Sequence, residues 1–221
     1  MSRMGIIGDI HCEHVSLQAV LRFLQRAGVE RIVSVGDICD GLGDLDRTVA
    51  MLRDSGVEAV AGNHERWLLT GQMRTLPDAT ELGTLAPETQ AWLASLPRTR
   101  ELTTPAGLIL VCHGLGDDDM AQVTPDDAGY ALEVNDALWK LVHARRWRYV
   151  LHGHSHQRMV RTFQELTFIN AGTLHRDHNP CFAVVDLARG EVSFYDIHDD
   201  WIFEPPQVHR LPARELKLSP E

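Results

Sequence analysis

Short apolar runs and amphipathic stretches alternate over the first sixty positions. Met4-Gly5-Ile6-Ile7 reads as a buried strand that ends at Gly8-Asp9. From Val15 to Arg26 the apolar residues Leu17, Val20, Leu21 and Leu24 recur at helical spacing, and Gly28 closes that helix. Arg31-Ile32-Val33-Ser34-Val35 predicts a second strand ending at Gly36-Asp37. Leu45 to Leu52 predicts a second amphipathic helix, stopped near Gly56, and Val57 to Ala61 a third strand ending at Gly62-Asn63-His64. This β-α-β-α-β order is the signature of a parallel sheet covered by helices.

Beyond residue 64 the pattern loosens. A helix is expected to follow His64 through Leu69, and another to run from Pro87 to Leu96, with Pro97 ending it. Glu101 to Thr104 and Leu108 to Cys112 form a hairpin about Pro105-Ala106-Gly107, with His113 at its end. Gly114 to Gly129 carries Asp117, Asp118, Asp119, Asp126 and Asp127 and reads as a solvated connection, a lid being the alternative. Ala131 to Arg146 predicts one long helix and Trp147 to Leu151 a strand ending at Gly153-His154. Leu166–Asn170, Pro180–Asp186 and Glu191–Asp196 are expected as antiparallel strands, the last two turning at Gly190. From Phe203 on, Pro205, Pro206, Pro212 and Pro220 mark a tail that either wraps the domain or is disordered. No repeat or linker interrupts this order, so one domain is expected over 1–221, with a core at about 4–196 and a Pro-rich tail at 203–221.

Charge narrows the function. With 31 acidic and 21 basic side chains the net charge is −10, which argues against a broad grip on duplex nucleic acid. A small phosphorylated ligand stays open, because bound divalent cations would invert the local charge. Met1-Ser2-Arg3 leads straight into a strand, and no apolar run approaches the ~20 residues a bilayer span needs, so neither a leader nor a membrane partner is expected. Four cysteines without C-x-x-C spacing suit a reducing cytoplasm. Cys12, Cys39 and Cys112 sit beside polar clusters. They read as small buried hydrophobes, with a redox-sensitive site as the alternative.

The chemistry lies at the strand ends. Gly8-Asp9-Ile10-His11, Gly36-Asp37, Gly62-Asn63-His64-Glu65, Cys112-His113 and Leu151-His152-Gly153-His154-Ser155-His156 each follow a short apolar run. Ligands of open α/β sheets bind outside the carboxyl ends of strands, so five strands can deliver these groups to one edge. The set comprises two aspartates, one asparagine and four or five histidines. Such mixed oxygen and nitrogen donors suit two divalent transition-metal ions (Mn²⁺, Fe²⁺/Fe³⁺, Ni²⁺, Co²⁺ or Zn²⁺) better than Mg²⁺ or Ca²⁺.

The ordered set D-x-H, G-D, G-N-H-E, H and G-H-S-H resembles the calcineurin-like metallophosphoesterases over residues 4 to about 196. Ile169-Asn170-Ala171-Gly172-Thr173 is similar to the N-P-G-S turn of the small bacterial phosphodiesterase-type branch, departing at Ala171 and Thr173. The resemblance implies an α/β fold, a four-layer αββα sandwich of two mixed β-sheets flanked by helices. It implies one metal on Asp9, His11, Asp37 and His156, a second on Asp37, Asn63, His113 and His154, and Asp37 bridging them. His64 would face the substrate as general acid or donor to the phosphoryl oxygens. The implied activity is hydrolysis of P–O ester bonds by a metal-activated hydroxide, a phosphodiesterase by subfamily. Two alternatives stand beside it: a phosphomonoesterase acting on nucleotides or phosphoserine/threonine, and a non-catalytic binding scaffold on the same fold. The implied substrate is a small nucleotide or phosphodiester.

Around that set, His175, Arg176 and His178 are candidate substrate contacts. His152 reads as a strand residue behind the ligands, Glu65 and Arg66 as anchors of the His64 loop, and Asp40 as a structural partner. Asp44 and Asp46 are read as caps of the next helix.

Overall fold

The computed structural model describes residues 2–212. Strand β1 (Arg3–Ile7), helix α1 (His14–Arg26), strand β2 (Arg31–Ser34), helix α2 (Leu45–Asp54) and strand β3 (Glu58–Ala59) follow the expected alternation. β1, β2 and β3 lie side by side in parallel register. Helix α3 (Asn63–Thr70) begins two residues earlier than the pattern implied, so Asn63 and His64 stand in its first turn rather than in a preceding loop. Helix α4 (Pro87–Ala94) and the hairpin β4 (Thr99–Thr104) and β5 (Gly107–Cys112) come next.

The single helix expected over 131–146 is two: α5 (Tyr130–Glu133) and α6 (Asp136–Ala144). Asn135 causes the break, because its side-chain oxygen accepts the Leu138 N–H and starts a new helix. Strand β6 (Tyr149–His152) leads into the second half. β7 (Arg158–Phe163), which the pattern did not reveal, is an edge strand in which Met159 alone is fully buried. β8 (Leu166–Ala171) runs antiparallel to β7 but parallel to β6, correcting the all-antiparallel expectation for this region. β9 (Cys181–Asp186) and β10 (Glu191–His198) form the hairpin that turns at Gly190. As far as Pro212 the tail is ordered against β10 through β11 (Trp201–Ile202) and β12 (Gln207–Arg210), while 213–221, Pro220 included, lie outside the described residues.

The strands make two mixed sheets, β11-β10-β9-β1-β2-β3 with β12 also on β10, and β4-β5-β6-β8-β7. Side-chain alternation sorts three apolar layers. Met4, Ile6, Val33, Val35, Ile109, Val111, Leu151 and Ile169 meet between the sheets. Ile7, Phe182 and Val184 face outward under α1, α2 and α4. Leu110, Val150 and Phe168 face outward under α6. The result is the αββα sandwich, and its strands β1, β2, β3, β5 and β6 all end at one edge.

Candidate metal centre

At that edge the polar residues converge from five strand ends. One oxygen or nitrogen from each of Asp9, His11, Asp37 and His156 lies within 4.8 Å of the others, and the same holds for Asp37, His113 and His154. Asp37 belongs to both groups. Asn63 closes the second one, its Oδ1 2.9 Å from His113 Nε2. All seven residues expected to act as ligands are therefore brought together, and His64 stands beside them with Nε2 3.8 Å from Asp37 Oδ2.

Local backbone geometry aims these side chains. Asp9, His11, Asp37, His154 and His156 have φ between 44° and 68°, the left-handed region that side-chain-bearing residues seldom occupy. Hydrogen bonds hold the turns: His11 N–H donates to Asp37 O (3.0 Å), Gly153 N–H to His113 O (2.8 Å), and Thr173 Oγ1 to Asp9 O (2.7 Å). Asn170 ties the same region by donating to Gly153 O, so the Asn170–Thr173 turn braces the loops bearing Asp9 and His154. Two glycines are required by close approach. A Cβ on Gly62 would meet Asp37 Oδ1 at 2.2 Å, and one on Gly153 would meet Asp9 Oδ2 at 2.6 Å.

The donors fit cations. Asp9 Oδ2 is buried with no hydrogen-bond partner. His11 Nδ1 lies 2.9 Å from Asp40 O and His113 Nδ1 2.9 Å from Val35 O. A carbonyl only accepts, so each Nδ1 carries a proton, which leaves each Nε2 as the nitrogen that could bind a cation once deprotonated. His11 Nε2 and His156 Nε2 then face each other at 3.2 Å. His113 Nε2 faces two acceptor oxygens, of Asn63 and Asp37. In the protein alone, protonation supplies the missing positive charge. Burial pushes the Asp9 carboxyl up to about 7, and the Asp37 carboxylate, overriding burial, holds His113 up to about 10. Burial pushes His11 down to about 4 and His156 down to about 3, keeping those nitrogens bare.

Supporting residues were only partly legible. Glu65, fully buried, accepts four backbone N–H groups, from Asp37, Ile38, Cys39 and Gly62 at 2.7–3.0 Å. Asp40 does more than brace the loop. Its Oδ2 lies 2.7 Å from His64 Nδ1, while Arg74 and the Thr80 N–H grip the same carboxylate. Burial opposes the charge on His64, but the Asp40 bond outweighs it and raises the imidazole above its ordinary value. Neither Arg74 nor Trp67, whose ring packs 4.8 Å from that of His64, had a signal in the sequence beyond lying in the segment after the G-N-H-E motif.

Other expectations changed. Asp44 caps α2 by accepting the Arg47 N–H, but Asp46 accepts from Ala86 N–H in the neighbouring loop. Arg66 pairs with Asp119, tying the acidic loop to α3. Arg176 pairs through Nε and Nη2 with buried Glu13 (2.7 and 2.8 Å), so that edge of the guanidinium is held by a carboxylate. His175 and His178 do reach the centre: His175 packs edge-on to His11 at 5.2 Å, and His178 Nδ1 lies 2.6 Å from His156 Nδ1. His152 is fully buried against Phe168 with neither ring nitrogen bonded, so it supports none of the ligands. Burial pushes the thiols of Cys12 and Cys112 up to about 12 and Cys39 well above its usual range, which suits hydrophobes and not thiolate ligands. Among the described residues no helix is long and apolar enough to cross a membrane.

The sequence profile of the calcineurin-like phosphoesterase superfamily domain matches residues 2–190. The chain belongs to the calcineurin-like phosphoesterase superfamily. Its fold is similar to that of a hypothetical protein from Pyrococcus horikoshii (TM-score 0.73, 16% identity, 90% of this chain and 89% of that one). It is also similar to a metallophosphoesterase from Sphaerobacter thermophilus (TM-score 0.66, 20% identity, 90% and 89%). A curated relative, an uncharacterized protein of Methanocaldococcus jannaschii, is 32% identical over 68 residues, which span 31% of this phosphoesterase-superfamily chain and 28% of that protein. At these identities the solved structures speak to the fold alone, and the chemistry rests on the side chains at the strand ends.

Proposed function

We propose that this calcineurin-like protein hydrolyses phosphodiesters. In this reading two divalent transition-metal ions are held by Asp9, His11, Asp37 and His156 and by Asp37, Asn63, His113 and His154. The observation that carries the reading is the pair of donor clusters with Asp37 common to both. Ions bound there would lower the pKa of a water and neutralise charge on the phosphoryl oxygens. The protein's own part falls to His64. Because Asp40 accepts from Nδ1, Nε2 is turned toward the centre, and the raised pKa keeps a proton there to hand to the departing oxygen.

Preference for a diester over a monoester is supported by charge. Arg66, Arg74 and Arg176, on the segments around the centre, are bound to Asp119, Asp40 and Glu13. Each already has its charge offset by a carboxylate, which leaves less positive charge for the second negative charge of a monoester, whereas a diester carries one. Four free, buried cysteines fit work in the cytoplasm.

The test is hydrolysis of bis(p-nitrophenyl) phosphate against p-nitrophenyl phosphate with Mn²⁺ or Ni²⁺, alongside metal analysis of the purified protein. Turnover of the diester with about two equivalents of metal is expected. Turnover of the monoester alone would replace the diester reading with the phosphatase one, and a stably folded protein that takes up no metal would replace both with a scaffold.

A further inference from the structure

A cleft of about 540 Å³ opens beside His156 and runs outward to Phe203. It lies between the turn that follows β8 and the end of β10, and it meets the ligand set at His156 alone. His178 forms its inner wall. The imidazole is stacked on His175, with ring centroids 4.7 Å apart and planes 23° from parallel, and its Nδ1 touches His156 Nδ1. A flat ring surface therefore stands directly against a residue of the candidate metal centre. At the outer end Phe203 is 49% exposed, an aromatic ring left open to solvent. Between them lie the amides of Gln157 and Asn179.

The charges in the cleft restrict its occupant. Among the described residues lining it, Arg158 is the one Lys or Arg, and it is already paired with Asp196. A second phosphate or a carboxylate arm would find no unpaired Lys or Arg among these residues and would meet Asp196. A purely apolar arm would strand the amides of Gln157 and Asn179. What the walls suit is an uncharged, planar group with hydrogen-bonding edges: ring faces to stack on, amides that both donate and accept, and room in the range of small-ligand sites.

We propose that this cleft seats the nucleoside arm of the substrate, the esterified group that stays on phosphorus while the other departs, so that the natural diester is a nucleotidyl ester. The assignment rests on the phosphodiesterase reading above. Base stacking against an aromatic ring sets the size of the expected effect, roughly tenfold for loss of one ring.

The experiment compares two diesters with the same leaving group, the p-nitrophenyl ester of thymidine 5′-monophosphate and methyl p-nitrophenyl phosphate, with Mn²⁺ supplied. Wild type should show a higher kcat/KM for the thymidine ester. In Phe203→Ala the ratio of the two kcat/KM values should fall about tenfold, and in Gln157→Ala, which removes hydrogen bonds and not a ring, roughly three- to tenfold. Calorimetric titration of thymidine 5′-monophosphate reads the same cleft without turnover, and its Kd should rise by a similar factor in Phe203→Ala. Equal turnover of the two esters by wild type, or a ratio and Kd unmoved by both substitutions, overturns the cleft assignment and leaves the phosphodiesterase reading standing. Failure to cleave either diester overturns the phosphodiesterase reading and the assignment with it.

Discussion

The floor of the centre and its rim are built on different principles. On the floor, Asp9, Asp37, Asn63 and His113 are almost wholly buried and are held by backbone hydrogen bonds and by Glu65, whose carboxylate gathers four N–H groups from two strand-end turns. On the rim, Arg66–Asp119 and Arg176–Glu13 tie loops to helices through long side chains that are one third to one half exposed on the arginine side. Buried, charge-assisted bonds to fixed backbone lock a geometry, whereas exposed ion pairs contribute little and rearrange readily. The floor is therefore suited to keep a fixed donor geometry and the rim to rearrange.

Substitutions can break or sharpen that contrast. Asp37→Ala should have the largest effect: both ions lost by elemental analysis, and turnover down by at least about 10³-fold. Retention of two ions would mean the floor is not organised about that carboxylate. His64→Ala should keep its metal yet lose about 10²–10⁴ in kcat. Metal loss equal to that of Asp37→Ala would contradict the division between holding ions and moving a proton.

Glu65→Ala touches no reacting group, yet it should lower stability by about 3 kcal/mol or more, since four donors lose one buried acceptor. A shift in urea midpoint at constant slope measures it. Asp40→Asn should move the alkaline limb of kcat/KM to lower pH. Asp40 raises the pKa of His64, so the charged donor persists above 6.5 and disappears as pH climbs through the raised value; without the carboxylate it disappears nearer 6.5. A limb that stays put would show that Asp40 does not set the proton on His64. The smallest effect is expected at the rim, where Arg66→Ala should cost less than about 1 kcal/mol in the same urea titration. A loss matching that of Glu65→Ala would erase the contrast.

The sequence exposed the floor and hid the rim for one physical reason. Buried strands write continuous apolar runs, and the polar residue that ends each run is conspicuous, so Asp9, Asp37, Asn63, His113 and His154 were readable from position alone. The partners of these groups come from distant segments through side-chain contacts that leave no periodic trace. Arg74 reaches Asp40 across 34 residues, and Arg176 reaches Glu13 across 163. Arg176 shows the limit well: its position after a site turn suggested a phosphate ligand, and only the fold reveals the buried carboxylate that claims it. β7 was missed because an edge strand with one fully buried residue lacks the alternation that marks a half-buried one, and Asn135 was missed because a cap within an apolar-periodic run reads as more helix.

The left-handed backbone at five of the seven converging donors has an evolutionary consequence. Each such residue is strained by about 1–2 kcal/mol relative to glycine in the same conformation. Selection for a hardier protein alone would steadily convert Asp9, His11, Asp37, His154 and His156 to glycine or asparagine, and every conversion would erase a donor. At these five positions, then, backbone relaxation and the capacity to hold a cation pull in opposite directions.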